Sequence, residues 1–159
     1  MDYTGLIYGF TKNYIMKIEE INQLACEFKI EANALRAIIS VESAGRGFDK
    51  TTGQIIIQFE PYHFKKYTGI KVSNGVENQS AEWRAYNYCV GLGKEEEAML
   101  STSWGLMQVM GFNHEVCGYE TVHEMVNDFK KSEYNQLKGA LEFIKANKKL
   151  YNAVLKKDW

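Results

Sequence analysis

The chain has one proline in 159 residues, which leaves no Pro-rich linker or tail. It has no run of eighteen apolar residues, and its N-terminus, MDYTGLIYGFTKNYIMKIEE, lacks a basic segment followed by a continuous apolar one. A membrane span and a secretory signal are therefore not expected. The net charge is −1, too little for a sequence-independent grip on nucleic acid, and no RNP-like or recognition-helix pattern appears. The three cysteines, Cys26, Cys89 and Cys117, are odd in number and far apart, which fits free, mostly buried thiols in a reducing compartment rather than a disulfide framework. Metal motifs are missing as well. His114-Glu115 and His123-Glu124 meet Gly118 and Asn127 where a zinc protease needs its second histidine. Glu60 and His63 have the spacing of half a di-iron site, but Pro61 interrupts the helix and no second copy exists. With no phosphate loop, no Gly-x-Ser-x-Gly elbow and no convincing Cys–His pair, no metal or cofactor is expected. What remains is carboxylate chemistry.

What is present is the composition of one globular domain, with 45% hydrophobic and 25% charged residues. Its organising stretch is Leu35 to Gly47, LRAIISVESAGRG. Leu35, Ile38 and Ile39 make an apolar helical stripe, and the next position on that stripe is Glu42. Ala34, Ala37 and Val41 extend the apolar character to other faces, so the segment reads as a buried central helix. Burial would raise the Glu42 pKa and keep the carboxyl protonated near neutral pH, as a general acid requires. The competing reading is a partly exposed Glu at a fraying helix end, because Ser43, Gly45 and Gly47 follow as a stop signal.

Around this helix the periodicity predicts an amphipathic helix over Ile15–Lys29, and a turn over Ile30–Asn33. It predicts a small β-hairpin over Phe48–Glu60 with Ile55, Ile57 and Phe59 on one side. A helical turn over Tyr62–Tyr67, a polar loop over Thr68–Gln79 and an aromatic helix over Ala81–Leu92 with Ser80 as its N-cap come next. Lys94–Glu97 reads as a solvated face. Ser101–Gly111, STSWGLMQVMG, is a short apolar segment whose Gly105 would cost about 1 kcal/mol in a helix relative to alanine, which implies a packing or binding reason for it. Trp104, Met107 and Met110 fit core better than groove. Thr121 with Glu124 forms a capping box, Ser132 opens a further helix, and Leu150–Trp159 carries a last helical stripe.

A carboxyl group at a helix end, a second carboxylate (Glu60) at the end of a following strand, and amide and aromatic residues to line a groove suit glycoside hydrolysis. The helix ending Val41-Glu42-Ser43, the strand end Gln58-Phe59-Glu60 and the block from Ser103 to Asn113, SWGLMQVMGFN, resemble the N-acetylmuramidase family of phage endolysins. That family is similar in plan to goose-type lysozymes and soluble lytic transglycosylases, and the resemblance covers roughly residues 15–159.

The resemblance implies a mainly α, lysozyme-like (α+β) single domain over residues 1–159 with a small β-hairpin, monomeric and acting on peptidoglycan glycan strands. It implies Glu42 as catalytic acid. Glu60 is either a second carboxylate that positions water or a structural partner for a backbone amide, Arg46 or His63. Ser43, His63, Ser103, Gln108 and Asn113 are the expected substrate-binding residues. The implied reaction is hydrolysis of the β-1,4 bond between N-acetylmuramic acid and N-acetylglucosamine. A lytic transglycosylase and a non-catalytic glycan-binding remnant are the alternatives. The family's Tyr-Asn-Gly type segment and a cell-wall-binding module are not found before Trp159. The eight lysines from Lys130 onward form either a solvated helical face or a basic surface that attracts anionic glycan. Without a signal, such a protein would be made in the cytoplasm and reach the wall through a holin or lysis.

Overall fold

A computed structural model describes residues 16–43, 46–73 and 78–157. Within them α1 (Ile18–Glu27) and α2 (Ala32–Ser43) pack against each other ahead of a short β1 (Ile57–Phe59) and α3 (Pro61–Thr68). There follow α4 (Gln79–Gly91), α5 (Glu95–Leu100), β2 (Thr102–Trp104), β3 (Val109–Met110), a 3-10 turn at Gly111–Asn113, and α6 (Val122–Phe129), α7 (Glu133–Ala146) and α8 (Lys148–Lys156). The mainly helical architecture with a small sheet is as the sequence implies.

Local signals explain most helix starts. Thr121 accepts from the Glu124 amide while Glu124 reaches back to the Thr121 amide, so the capping box opens α6. Ser132 caps α7 and Asn147 caps α8 by accepting from the amides of Asn135 and Leu150. The cap of α4 is Asn78, not Ser80. Asn78 has the extended backbone an N-cap needs and accepts from the Ala81 amide at 3.0 Å, whereas Ser80 lies inside the first turn and accepts from the Arg84 guanidinium. The Glu95–Glu97 run opens α5, where acidic residues favour the positive end of the helix dipole.

The sheet differs from the predicted hairpin. Asp49 accepts from the amides of Thr51 and Thr52 and builds a tight turn, but only one bridge, Phe48 to Ile55, joins its two arms. β1 instead pairs antiparallel with β2, with Gln58 opposite Ser103, and β2 pairs with β3, with Ser103 opposite Met110. The Ser101–Gly111 segment is thus the true hairpin. The outer edge of β1 is closed by side chains of α4: Gln79 bonds both the amide and the carbonyl of Ile57, and Glu82 accepts from the Phe59 amide at 2.8 Å. An otherwise open strand edge is satisfied without another strand.

Two apolar clusters meet at α7. One surrounds Trp104, Phe59, Phe64 and Phe129, and the other surrounds Leu24, Phe28, Leu35 and Leu141. The expectation that α2 is buried on most faces is corrected. Leu35 and Ile39 are buried against α1, but Ala37 and Ser40 are exposed and Val41 is 82% exposed, so α2 is an amphipathic helix with one open wall.

Cys89 and Cys117 are buried and Cys26 is exposed. Burial pushes the Cys89 thiol up to about 11 and, with Glu142 adding to it, the Cys117 thiol up to about 12. A thiol reagent at pH 8 should modify one cysteine of the native protein rapidly and all three only after unfolding. Both buried thiols titrate higher folded than unfolded, so their contribution to stability is complete below about pH 9 and is lost as the pH rises toward 12. Rapid titration of all three thiols in the native state would contradict this packing.

Candidate active site

The open wall of α2 faces a groove of about 550 Å³. Ala37, Ile38 and Val41 form one side, the β2–β3 turn from Met107 to Met110 together with Asn113 forms another, and the ends of α7 and α8 close it. Its surface is predominantly apolar, with amides supplied by Gln108 and Asn113. Large apolar walls with a few placed polar groups are the usual character of a ligand site. Among the predicted core residues Trp104 is fully buried, while Met107 and Met110 are half-buried and line the groove.

Glu42 and Ser43 are the last two residues of α2, directly after Val41 on the groove wall. Their side chains, and with them the expectation of a buried, protonated Glu42, lie outside the described residues.

The second carboxylate sits at the end of β1. Pairing across the sheet puts Gln58, Ser103 and Met110 side by side, on the face opposite Ile57, Phe59 and Trp104 of the core. Gln58 Nε2 donates to Glu60 Oε1 at 3.0 Å, and the Glu60 amide donates to the Ser101 carbonyl at 2.8 Å. The Glu60 carboxylate, half-buried, is therefore aligned by its neighbour Gln58. It does not cap α3, although it occupies the N-cap position before Pro61.

Ser103 and Gln108 are brought together. The Ser103 hydroxyl donates to Gln108 Oε1 at 2.8 Å, and Gln108 Nε2 donates to the Gly105 carbonyl at 2.8 Å. Gln108 has φ +49°, a left-handed conformation that costs a non-glycine residue about 1–2 kcal/mol. Its two side-chain bonds hold that turn and fix the amide at the groove edge. Asn113 lines the groove at the end of the 3-10 turn, and His63 packs on Tyr62 and Phe112 with ring centres 5.4 and 5.0 Å away.

Beneath the turn lies a pair of buried polar residues that sequence reasoning passed over. Gln136 accepts from the Leu106 amide at 2.7 Å and donates to the Phe129 carbonyl at 2.9 Å. Glu133 accepts from the Gly47 amide at 2.7 Å and the Met16 amide at 2.9 Å. A Cβ on Gly47 would overlap the Gln136 amide oxygen, and one on Gly105, itself at φ +71°, would lie 2.6 Å from Gln136 Cδ. The close approach expected at Gly105 is that of the Gln136 side chain. The only sequence trace of this network was the pair of glycines.

A family model, N-acetylmuramidase, matches residues 31–159, which include Glu42, Glu60 and the whole Ser103–Asn113 block. The chain belongs to the N-acetylmuramidase family. The crystal structure of a Burkholderia AP3 phage endolysin is similar to this N-acetylmuramidase fold with a TM-score of 0.83 and 25% sequence identity. The alignment covers 93% of this chain and 61% of the endolysin, so the N-acetylmuramidase chain spans about three fifths of that protein's length. Comparison with curated proteins gives no match. Among the described residues no helix is long and apolar enough to cross a membrane.

Proposed function

We propose that this chain is a peptidoglycan hydrolase of the N-acetylmuramidase type that cleaves the β-1,4 bond between N-acetylmuramic acid and N-acetylglucosamine. Glu42 is the general acid. It protonates the glycosidic oxygen as the bond to the anomeric carbon breaks, and the oxocarbenium-like carbon is captured by water. Glu42 lies in the last turn of α2, the helix that walls the groove. Glu60, aligned by Gln58, orients or deprotonates that water. Gln108, held in place by the Ser103 hydroxyl, and Asn113 supply the amide groups that pair with the N-acetyl substituents, and the apolar wall from Val41 to Met110 takes their methyl groups.

The observation that carries this reading is the groove itself, walled by the helix that ends in Glu42 and edged by Gln108, which Ser103 holds, within a chain of this family. The proposed place of action is the cell wall, reached after release from the cytoplasm by a holin or lysis.

Product analysis tests the reaction type. Digestion of purified peptidoglycan should release fragments with free, reducible N-acetylmuramic acid ends, detected by mass spectrometry before and after borohydride treatment. Products ending in 1,6-anhydro-muramic acid would identify a lytic transglycosylase, in which the substrate's own 6-hydroxyl attacks. Retention on peptidoglycan without any released fragment would identify a binding protein.

A further inference from the structure

Tyr62, His63 and Phe112 form a small aromatic ridge beside the groove that the reaction above leaves unused. The His63 ring stands edge-on to Tyr62 at 5.4 Å and tilted against Phe112 at 5.0 Å, so it bridges the other two rings. His63 is half-buried between them, while Tyr62 is 74% and Phe112 38% exposed. Among the described residues the exposed Tyr67 and Tyr88 make no such ring contact and are single surface aromatics. The ridge is rigidly mounted. Pro61 sets the first position of α3, so Tyr62 follows Glu60 at a fixed helical start, and Phe112 belongs to the 3-10 turn that carries Asn113.

This placement joins the two halves of the site. One end of the ridge is two residues from Glu60, and the other is next to Asn113 on the groove wall. Resting on the proposed function, we infer that Tyr62 and Phe112, on either side of His63, are a carbohydrate-stacking subsite for one β-linked N-acetylhexosamine ring next to Asn113. The chemistry selects the occupant. The axial C–H bonds of a β-pyranose carry partial positive charge and sit on the negative face of an aromatic ring. The Asn113 amide, next after Phe112 in the 3-10 turn and on the groove wall, complements hydroxyl and N-acetyl groups. His63 acts here as a positioning residue, through the two rings it separates.

The test combines retention on purified insoluble peptidoglycan with the kinetics of its clearing, for the wild type and for Tyr62→Ala, Phe112→Ala and the double variant. The double variant should bind about tenfold more weakly and show that change in KM while kcat holds nearly constant, since the ring contacts are uniform binding energy. Tyr62→Trp should restore the affinity that Tyr62→Leu does not, which separates stacking from mere apolar area. Thermal melting should be unchanged for Tyr62→Ala because that ring is largely solvated. Wild-type clearing together with unaltered affinity and KM in the double variant would overturn the subsite and leave the hydrolase reading standing. Wild-type binding without clearing would sink the hydrolase and leave the ridge to be judged on retention alone, whereas no binding by the wild type would remove both.

Discussion

Replacing Glu133 with alanine is expected to lower the free energy of unfolding by about 3–5 kcal/mol, measured as a loss in urea midpoint at unchanged slope. The residue is 5% exposed, and its two carboxylate oxygens accept from the Gly47 amide at 2.7 Å and the Met16 amide at 2.9 Å. Hydrogen bonds to a charged acceptor are worth roughly twice a neutral pair, and both donors lose their partner at once. A domain of this size has only about 5–15 kcal/mol to lose. Glu133→Gln keeps one acceptor but turns an NH₂ group toward an amide donor, so it should recover less than half of the loss. The effect also reaches the candidate site, since Gly47 is the anchor of the chain soon after α2 ends at Ser43. Activity per folded molecule should therefore fall as well. A Glu133→Ala protein with wild-type midpoint and wild-type clearing would show that this carboxylate holds nothing in place.

The neighbouring Gln136 extends the same support to the β2–β3 turn. It occupies the space that Gly47 and Gly105 leave open and accepts from the Leu106 amide, so its contribution and that of Gly105 are not separable by single substitutions. The candidate site thus rests on two buried side chains from one turn of α7. Together they tie down the strand after the Glu42 helix and the turn bearing Gln108.

How much of this was legible in the sequence depended on the range of the interaction. The starts of α6 and α7 were readable because Thr121, Glu124 and Ser132 act on amides within three residues of themselves. The alternation of Ile55, Ile57 and Phe59 toward the core was readable for the same reason, and all three are buried. The partner of β1 was not. Its pairing joins Gln58 to Ser103 across the chain, and its other edge is satisfied by Gln79 and Glu82, which no local pattern announces. The exposure of Val41 was misjudged because periodicity gives the apolar faces of a helix but not which of them a neighbour covers. Here the uncovered face is the groove wall. The Ser103–Gln108 bond and the Gln58–Glu60 bond became visible only when the hairpin brought their backbones together. The fold family was carried by the Ser103–Asn113 block and the Glu42 helix end, which lie within the matched residues 31–159.

The central claim is that Glu42 is the proton donor, and it carries the largest expected effect on activity. A general acid contributes typically 10²–10⁴-fold to rate, and glutamine keeps the size and most of the polarity of the side chain while removing its transferable proton. Glu60→Gln should cost less in clearing rate than Glu42→Gln, because the role proposed for Glu60 is on the water and the Gln58 amide remains beside it. The most direct measurement is the initial rate of clearing of purified peptidoglycan by the wild type and by Glu42→Gln at equal concentration, with retention on the same peptidoglycan as the check on binding. Glu42→Gln should clear at least about 100-fold more slowly with retention unchanged. Equal clearing by the two proteins would take Glu42 out of the mechanism.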